Sequence, residues 1–159
     1  MPGNRKEIAP YDFIEYFSKN DALMVSMDKN LEPNVMALSW KTIGQLWAIP
    51  VITAAVAPSR YTFKLLTEGI QAFTINIPSH STKNAFMTTG TSSGRDTDKF
   101  KEAGLKTIEG NRVKVPTIAD CLLCYECKVV HSCKSGNMAQ HHLFFGEILV
   151  SYASIDLLK

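Results

Sequence analysis

The apolar residues of this chain fall in short runs of strand length, each closed by residues that turn the backbone. Val51 to Ala57 is the plainest case, rich in β-branched residues and nearly all apolar, as a strand covered on both faces must be. Ala22 to Asp28 reads as a strand, Lys29 to Pro33 as a turn, and Val35 to Trp40 as the returning strand of a hairpin. Gln71 to Ile77 alternates, with Phe73, Ile75 and Ile77 on one face, before Pro78 ends it. Val113–Val115, Cys121–Val130 and Leu143–Tyr152 are further strand-like segments. Only short helices fit between them. They are expected from Pro10 to Phe17, from Ser59 (N-cap) to Leu66 with Gly69 as the C-cap, over Ser79–Thr89, and over Asp96–Ala103 with Gly104 as the stop. Many short strands with a few short helices predict a mainly β fold, a barrel or sandwich, and not a βαβ sheet.

The 159 residues suffice for one buried core, and with no internal repeat or linker the whole span 1–159 is expected to be a single domain. The formal net charge is only +2, and Lys and Arg are scattered among Asp and Glu, which gives no footprint for nucleic acid. Met1 to Pro10 has no apolar stretch of signal-peptide length, and the longest apolar run, Ala48 to Ala57, contains Pro50 and is strand-sized. The expectation is a cytoplasmic protein without membrane attachment, a compartment that suits four cysteines in a domain able to do without disulfides.

Two stretches carry phosphate-binding chemistry. Pro58-Ser59-Arg60-Tyr61-Thr62 combines a predicted helix start, two hydroxyls and a guanidinium, which can meet an anion with free amides and a planar fork of donors. Thr91-Ser92-Ser93-Gly94-Arg95-Asp96-Thr97-Asp98-Lys99 offers an anion nest, with Gly94 freeing the backbone and Ser92, Ser93, Arg95 and Lys99 as donors. A capped surface helix and a polar loop with Asp96 capping the next helix are the plainer readings. Neither stretch is a P-loop or a dinucleotide fingerprint.

Cys121, Cys124, Cys127 and Cys133 spell C-x2-C-x2-C-x5-C, a spacing that invites a metal. On a continuous strand Cys124 points away from Cys121 and Cys127, and those two lie roughly 20 Å apart. The expectation is no metal and buried structural thiols, with a redox-active disulfide as the alternative. Met24, Met27, Met36 and Met87 are expected to fill the core. Trp47, followed by Pro50, fits a loop over a pocket or dimer seam. No hydrolase constellation is present in the sequence.

In order, these blocks resemble the flavin reductase-like, FMN-binding split-barrel family, and its flavoredoxin-type branch. The matching residues are Pro33-Asn34-Val35-Met36-Ala37-Leu38-Ser39-Trp40, Ala57-Pro58-Ser59-Arg60-Tyr61-Thr62, Phe73-Thr74-Ile75-Asn76-Ile77-Pro78 and Gly90-Thr91-Ser92-Ser93-Gly94-Arg95-Asp96 through Phe100. Cys121 with Cys127-Lys128-Val129-Val130, and His141 with Leu143-Phe144-Phe145-Gly146-Glu147, complete the pattern from about Ala22 to Tyr152. The resemblance implies a Greek-key-like split β-barrel that binds FMN near a homodimer interface. It implies that Leu38, Ser39 and Trp40 approach the flavin ring, that Ser59, Arg60 and Thr62 hold the phosphate, and that Asn76, Ile77 and Pro78 line the pocket. Thr91, Ser92, Ser93, Gly94 and Lys99 would add polar contacts. A histidine at the place of His141 would sit near the flavin and the nicotinamide entry face. Here Ala139-Gln140 precedes it where relatives often have Gly-Asp, and an edge-strand role is the alternative.

Three functions follow from the resemblance: an electron carrier of flavoredoxin type, an NAD(P)H:flavin oxidoreductase, and a non-catalytic flavin binder. The electron donor would be NAD(P)H or a redox protein. With no segment left over for an adenylate, FMN is expected to bind far better than FAD.

Overall fold

The structure, a computed structural model, describes residues 4–159. It is mostly β, with 44% strand against 19% helix. The first hairpin joins β2 (Ala22–Met27) to β3 (Pro33–Leu38), in register from Ala22 opposite Leu38 to Met27 opposite Pro33. Its turn is held by Asp28, whose Oδ1 accepts from the backbone N–H groups of Asn30 and Glu32. The strands that complete the sheet are β1 (Arg5–Ile8), β4 (Lys41–Leu46), β5 (Ile49–Val56), β6 (Ala72–Pro78), β9 (Cys121–Lys134) and β10 (His142–Ser154). Seven of them follow the order β3-β2-β6-β9-β10-β5-β4, and β1 pairs with the C-terminal part of β10, all antiparallel. The chain therefore crosses β9 and β10 between β5 and β6, a Greek-key-like connection. A separate pair, β7 (Thr107–Ile108) and β8 (Thr117–Ile118), lies outside this path.

The sheet curls on itself. Met36 and Leu38 from one end of the path share an apolar cluster with Ile52, Ala54 and Val56 from the other, around Phe73, Tyr125 and Phe144. This is the expected split β-barrel. A second cluster covers the outer face, where Leu23, Val25 and Met27 meet Val115, Ile118, Cys121 and Tyr152. Alternate residues of β2 thus enter different cores, which explains why all six of its residues are buried. Glycine is required at Gly146, where a Cβ would press into the ring of Phe73 and the Cβ of Cys127. Gly146→Ala is expected to lower stability by about 1–3 kcal/mol through overpacking; an unchanged urea midpoint would refute it.

Several sequence expectations are corrected. Four strands, β1, β4, β7 and β8, were not expected from the sequence: β7 and β8 are two residues each, and β4 is a half-exposed edge strand paired only with β5. Trp47 and Ala48 form a two-residue hairpin turn between β4 and β5, both at positive φ (53° and 60°). Pro50 is tolerated because β5 pairs with β10 only from Val51 onward. The first helix, α1, spans Ile14–Lys19, and α3 is confined to Ala85–Thr91, because residues 80–84 form turns. Helix α4 (Lys99–Ala103) is capped by Asp98, not Asp96, and closed by Gly104 in the left-handed region. Val113–Val115 is no strand. It belongs to a bend wrapped around the fully buried Glu126, whose carboxylate accepts from the backbone N–H groups of Asn111, Arg112 and Val113.

The cysteines depart from simple alternation. Pro78 pairs with Cys121 but Ile77 pairs with Leu123, so Leu122 is an extra residue in β9. This bulge turns Cys121 and Cys124 into the outer cluster together, and Cys127 alone lies in the barrel interior. Burial pushes the Cys124 thiol up to about 12 and raises those of Cys121 and Cys127, which keeps all three protonated. All four cysteines are free, and no group of three or more His, Cys, Asp or Glu side chains among the described residues is placed to hold a metal.

Candidate functional site

One long cleft runs beside the barrel mouth, built from the end of β3, the start of α2 (Tyr61–Glu68), α3 and the loop that leads into α4. Its first half has a cavity volume of about 310 Å³. Leu38, Ser39 and Trp40 form one wall, Ala55–Ala57 a second, and Phe86, Met87 and His141 add to the lining. The side chains are largely apolar and flat. Trp40 and Met87 are 69% and 68% exposed, so this half is open on one side. Met87 therefore belongs to the cleft and not to the core, unlike Met24, Met27 and Met36. His141 closes this end just before β10, its backbone bonded to Ser135 across the β9–β10 hairpin.

The second half, about 540 Å³, shares Met36, Ala57, Arg60, Gly90 and Thr91 with the first, so the two are continuous. Here the lining is polar and cationic: Ser59, Arg60, Thr62, Ser92, Ser93, Gly94, Arg95 and Lys99. Arg60, not Ser59, is the N-cap residue of α2, and no side chain caps that helix start. Its first N–H groups and its dipole are left to favour an anion. Lys99 is only 4% exposed, and its Nζ donates to the carbonyl of Thr89 at 2.8 Å. Burial, and next the nearby Arg60 guanidinium, lower its pKa from 10.5 to about 8. The ion pairs among the described residues are Lys19–Glu15 and Lys159–Asp156, so neither Arg60 nor Lys99 has a carboxylate bound to it. Glu102 offsets this only in part, and two cations held together with no carboxylate bound to either make a site that an anion stabilises.

Of the fifteen residues picked out from the sequence for a site, twelve line this cleft. Leu38, Ser39, Trp40 and His141 line the apolar half; Ser59, Thr62, Ser92, Ser93, Gly94 and Lys99 the cationic half; Arg60 and Thr91 both. Gly94 plays a different part from the one expected. Its φ is not positive; a Cβ there would fall on the side chain of Asn34 and against the Tyr61 ring. Asn76, Ile77 and Pro78 are absent from the lining. Asn76 is fully buried, donating to Leu23 O and Thr74 Oγ1 and accepting from Ile118 N, so it ties β6 to β2 and β8. Ile77 is in the barrel interior.

Sequence reasoning missed Asn34, Phe86 and Gly90. Asn34, 5% exposed, donates to Thr62 Oγ1 at 3.3 Å and so orients that hydroxyl at the cavity wall. A lone amide inside the apolar β3 was the available signal.

The cleft pairs a flat apolar shelf with a cationic well, which suits a ligand with a planar ring at one end and a phosphate at the other. Comparison with known proteins agrees with this shape. An uncharacterized protein of Archaeoglobus fulgidus is 33% identical over 118 residues, 74% of this chain; the chain spans 64% of that relative's length. The flavoredoxin of Desulfovibrio vulgaris (Miyazaki F) is 29% identical with a TM-score of 0.76, the match covering 86% of this chain and 70% of that one. An FMN-binding domain of a flavin reductases-like enzyme from Shewanella baltica shares the fold at a TM-score of 0.78 and 20% identity, covering 94% of this chain and 77% of that one. The model of the flavin reductase like domain matches residues 16–154, and the chain belongs to that family.

Proposed function

We propose that this protein binds FMN in the cleft and works as a flavin-dependent oxidoreductase, an electron carrier of flavoredoxin type. The observation that carries the reading is the well formed by Arg60 and Lys99, two cations without carboxylate partners at the end of an apolar shelf. Bound FMN supplies the electron-transfer chemistry, and the protein supplies binding, orientation and electrostatics. Arg60 offers the phosphate a planar fork, Lys99 a charge fixed by its bond to Thr89, and Ser59, Thr62, Ser92 and Ser93 hydroxyl groups. Trp40, Phe86 and Met87 provide apolar surface for the ring, and Leu38 and Ser39 bring backbone groups to its edge.

A homodimer in the cytoplasm completes the proposal. The support for the dimer is exposed apolar surface, with Trp40, Leu46, Trp47 and Val130 all exposed and Trp47 packed edge-on against His131 and Phe145. No helix among the described residues is long and apolar enough to cross a membrane.

The second reading is an NAD(P)H:flavin oxidoreductase, favoured by the open side of the apolar half, where a nicotinamide could stack beside His141. Anaerobic stopped-flow of the FMN-loaded protein separates the two. The carrier is expected to stay yellow with NADH and NADPH and to bleach with a reduced redox protein such as a ferredoxin. Rapid bleaching by either nucleotide would instead establish the reductase.

A further inference from the structure

A second cavity, of about 320 Å³, shares no lining residue with the cleft. It lies where the start of β1, the end of β6, the β8–β9 turn and the end of β10 meet. Ile108, Ile118 and Leu122 give it apolar surface, and the hydroxyls of Ser79 and Ser81, 2.9 Å apart, give it donors. The cation of its lining is Arg5. The Arg5 guanidinium is fixed over the Tyr152 ring, 4.1 Å from its centroid, and Nη1 donates to Thr117 Oγ1 at 2.8 Å. Nε and Nη2 are covered and have no hydrogen-bond partner. No carboxylate is bonded to Arg5 among the described residues. Glu126 is bonded instead to the backbone of residues 111–113, and the Cys124 thiol beside the guanidinium stays protonated. Covered charges in folded proteins are paired, so a cation left in this state at a cavity wall marks the place of an anion.

The rest of the lining narrows what that anion belongs to. Asp120, in the β8–β9 turn, and Asp156, bonded to Lys159 Nζ, are both exposed and stand at the solvent side of the cavity. Two acids there repel a nucleotide or any other polyanion. Asp120 has no cation bonded to it among the described residues, which suits an ammonium group. We propose that this cavity binds a small α-amino acid with an apolar side chain. Its carboxylate lies toward Arg5 and the two serine hydroxyls, its ammonium toward Asp120, and its side chain against Ile108, Ile118 and Leu122. The site is separate from the flavin cleft and does not rest on the FMN reading.

The test is calorimetric titration of the protein with leucine, before and after loading with FMN. Leucine is expected to bind saturably in both cases. Leucinol, which lacks the carboxylate, should bind at least about tenfold more weakly, the scale of one charge-assisted hydrogen bond. Arg5→Met should weaken leucine by a similar factor. Asp120→Asn, in an exposed turn, should weaken it by about threefold, the scale of an exposed ion pair, and keeps the test open should Arg5→Met fail to fold. Both variants should bind FMN within about twofold of the parent protein. No saturable heat with leucine, or equal affinity for leucine and leucinol, would overturn the proposal. Competition between leucine and FMN would overturn it too, by placing the amino acid in the cleft. Failure of FMN to bind, with leucine bound as expected, would overturn the flavin reading and leave this site standing.

Discussion

Lys99→Met should make the flavin-free protein more stable and cost it most of its affinity for FMN. The Lys99 ammonium is almost fully covered and faces Arg60, so folding without an anion moves its pKa from 10.5 down to about 8. Between those values the unfolded chain binds more protons than the folded one, so stability gains as pH rises from about 8 to 10.5 and is penalised below. Methionine fills similar space without the charge, and about 1 kcal/mol of added stability at pH 7 is expected after loss of the bond to Thr89 O. A phosphate held in the well would reverse this balance by favouring the charged amine. Lys99→Met should weaken FMN binding by about 1.5–3 kcal/mol, and Arg60→Ala by a similar amount, the scale of one charge-assisted hydrogen bond. Wild-type affinity should fall as pH rises through about 8, and the Lys99→Met protein should lose that dependence. Thermal melts and FMN titrations at pH 7 and pH 9 measure both sides. A less stable variant with unchanged FMN affinity would remove Lys99 from the site.

Glu126→Gln is expected to destabilise the fold by about 3–5 kcal/mol, the cost of disturbing a buried charge that its partners satisfy. Both carboxylate oxygens accept: Asn111 N lies 3.0 and 3.1 Å from the pair, Arg112 N 2.7 Å and Val113 N 3.2 Å from Oε2. An amide in that place keeps one acceptor but turns an NH2 group toward a backbone N–H, whichever way it is rotated. The bend of residues 110–115 would then lose its anchor, and with it the seal that the fully buried Val115 makes over the outer core. The lowered urea midpoint should be accompanied by faster hydrogen exchange at Asn111, Arg112 and Val113. Unchanged exchange at those amides would show that the carboxylate does not hold the bend.

The site was legible where a residue's chemistry is local. Ser59, Arg60 and Thr62 stand at one helix start, and Thr91 to Lys99 in one stretch, so their donors could be picked out as candidate phosphate ligands before their positions were known. Their convergence could not, because Arg60 and Lys99 are 39 positions apart in the numbering and meet only when α2 and α4 pack beside β3. Asn76 misled for the opposite reason. A polar side chain in an apolar strand looks like a site residue, yet here three partners from β2, β6 and β8 bind it inside the protein. Met87 misled because helical spacing alone does not say which face of a short helix is left uncovered.

By itself the sequence determined the strands with strong apolar patterns, the first hairpin, the stop at Gly104 and the anion-binding chemistry of the candidate donors. These depend on side-chain type, periodicity and turn geometry within a few residues. The tertiary structure alone decided the edge strand β4, which has a neighbour but little apolar signal, and the bulge at Leu122, which moves Cys121 to the face of Cys124. It also decided the bend around Glu126 and the cation pair that gives Lys99 its low pKa. Each of these is set by burial and by charges brought together from distant parts of the chain, and no local window of sequence contains either.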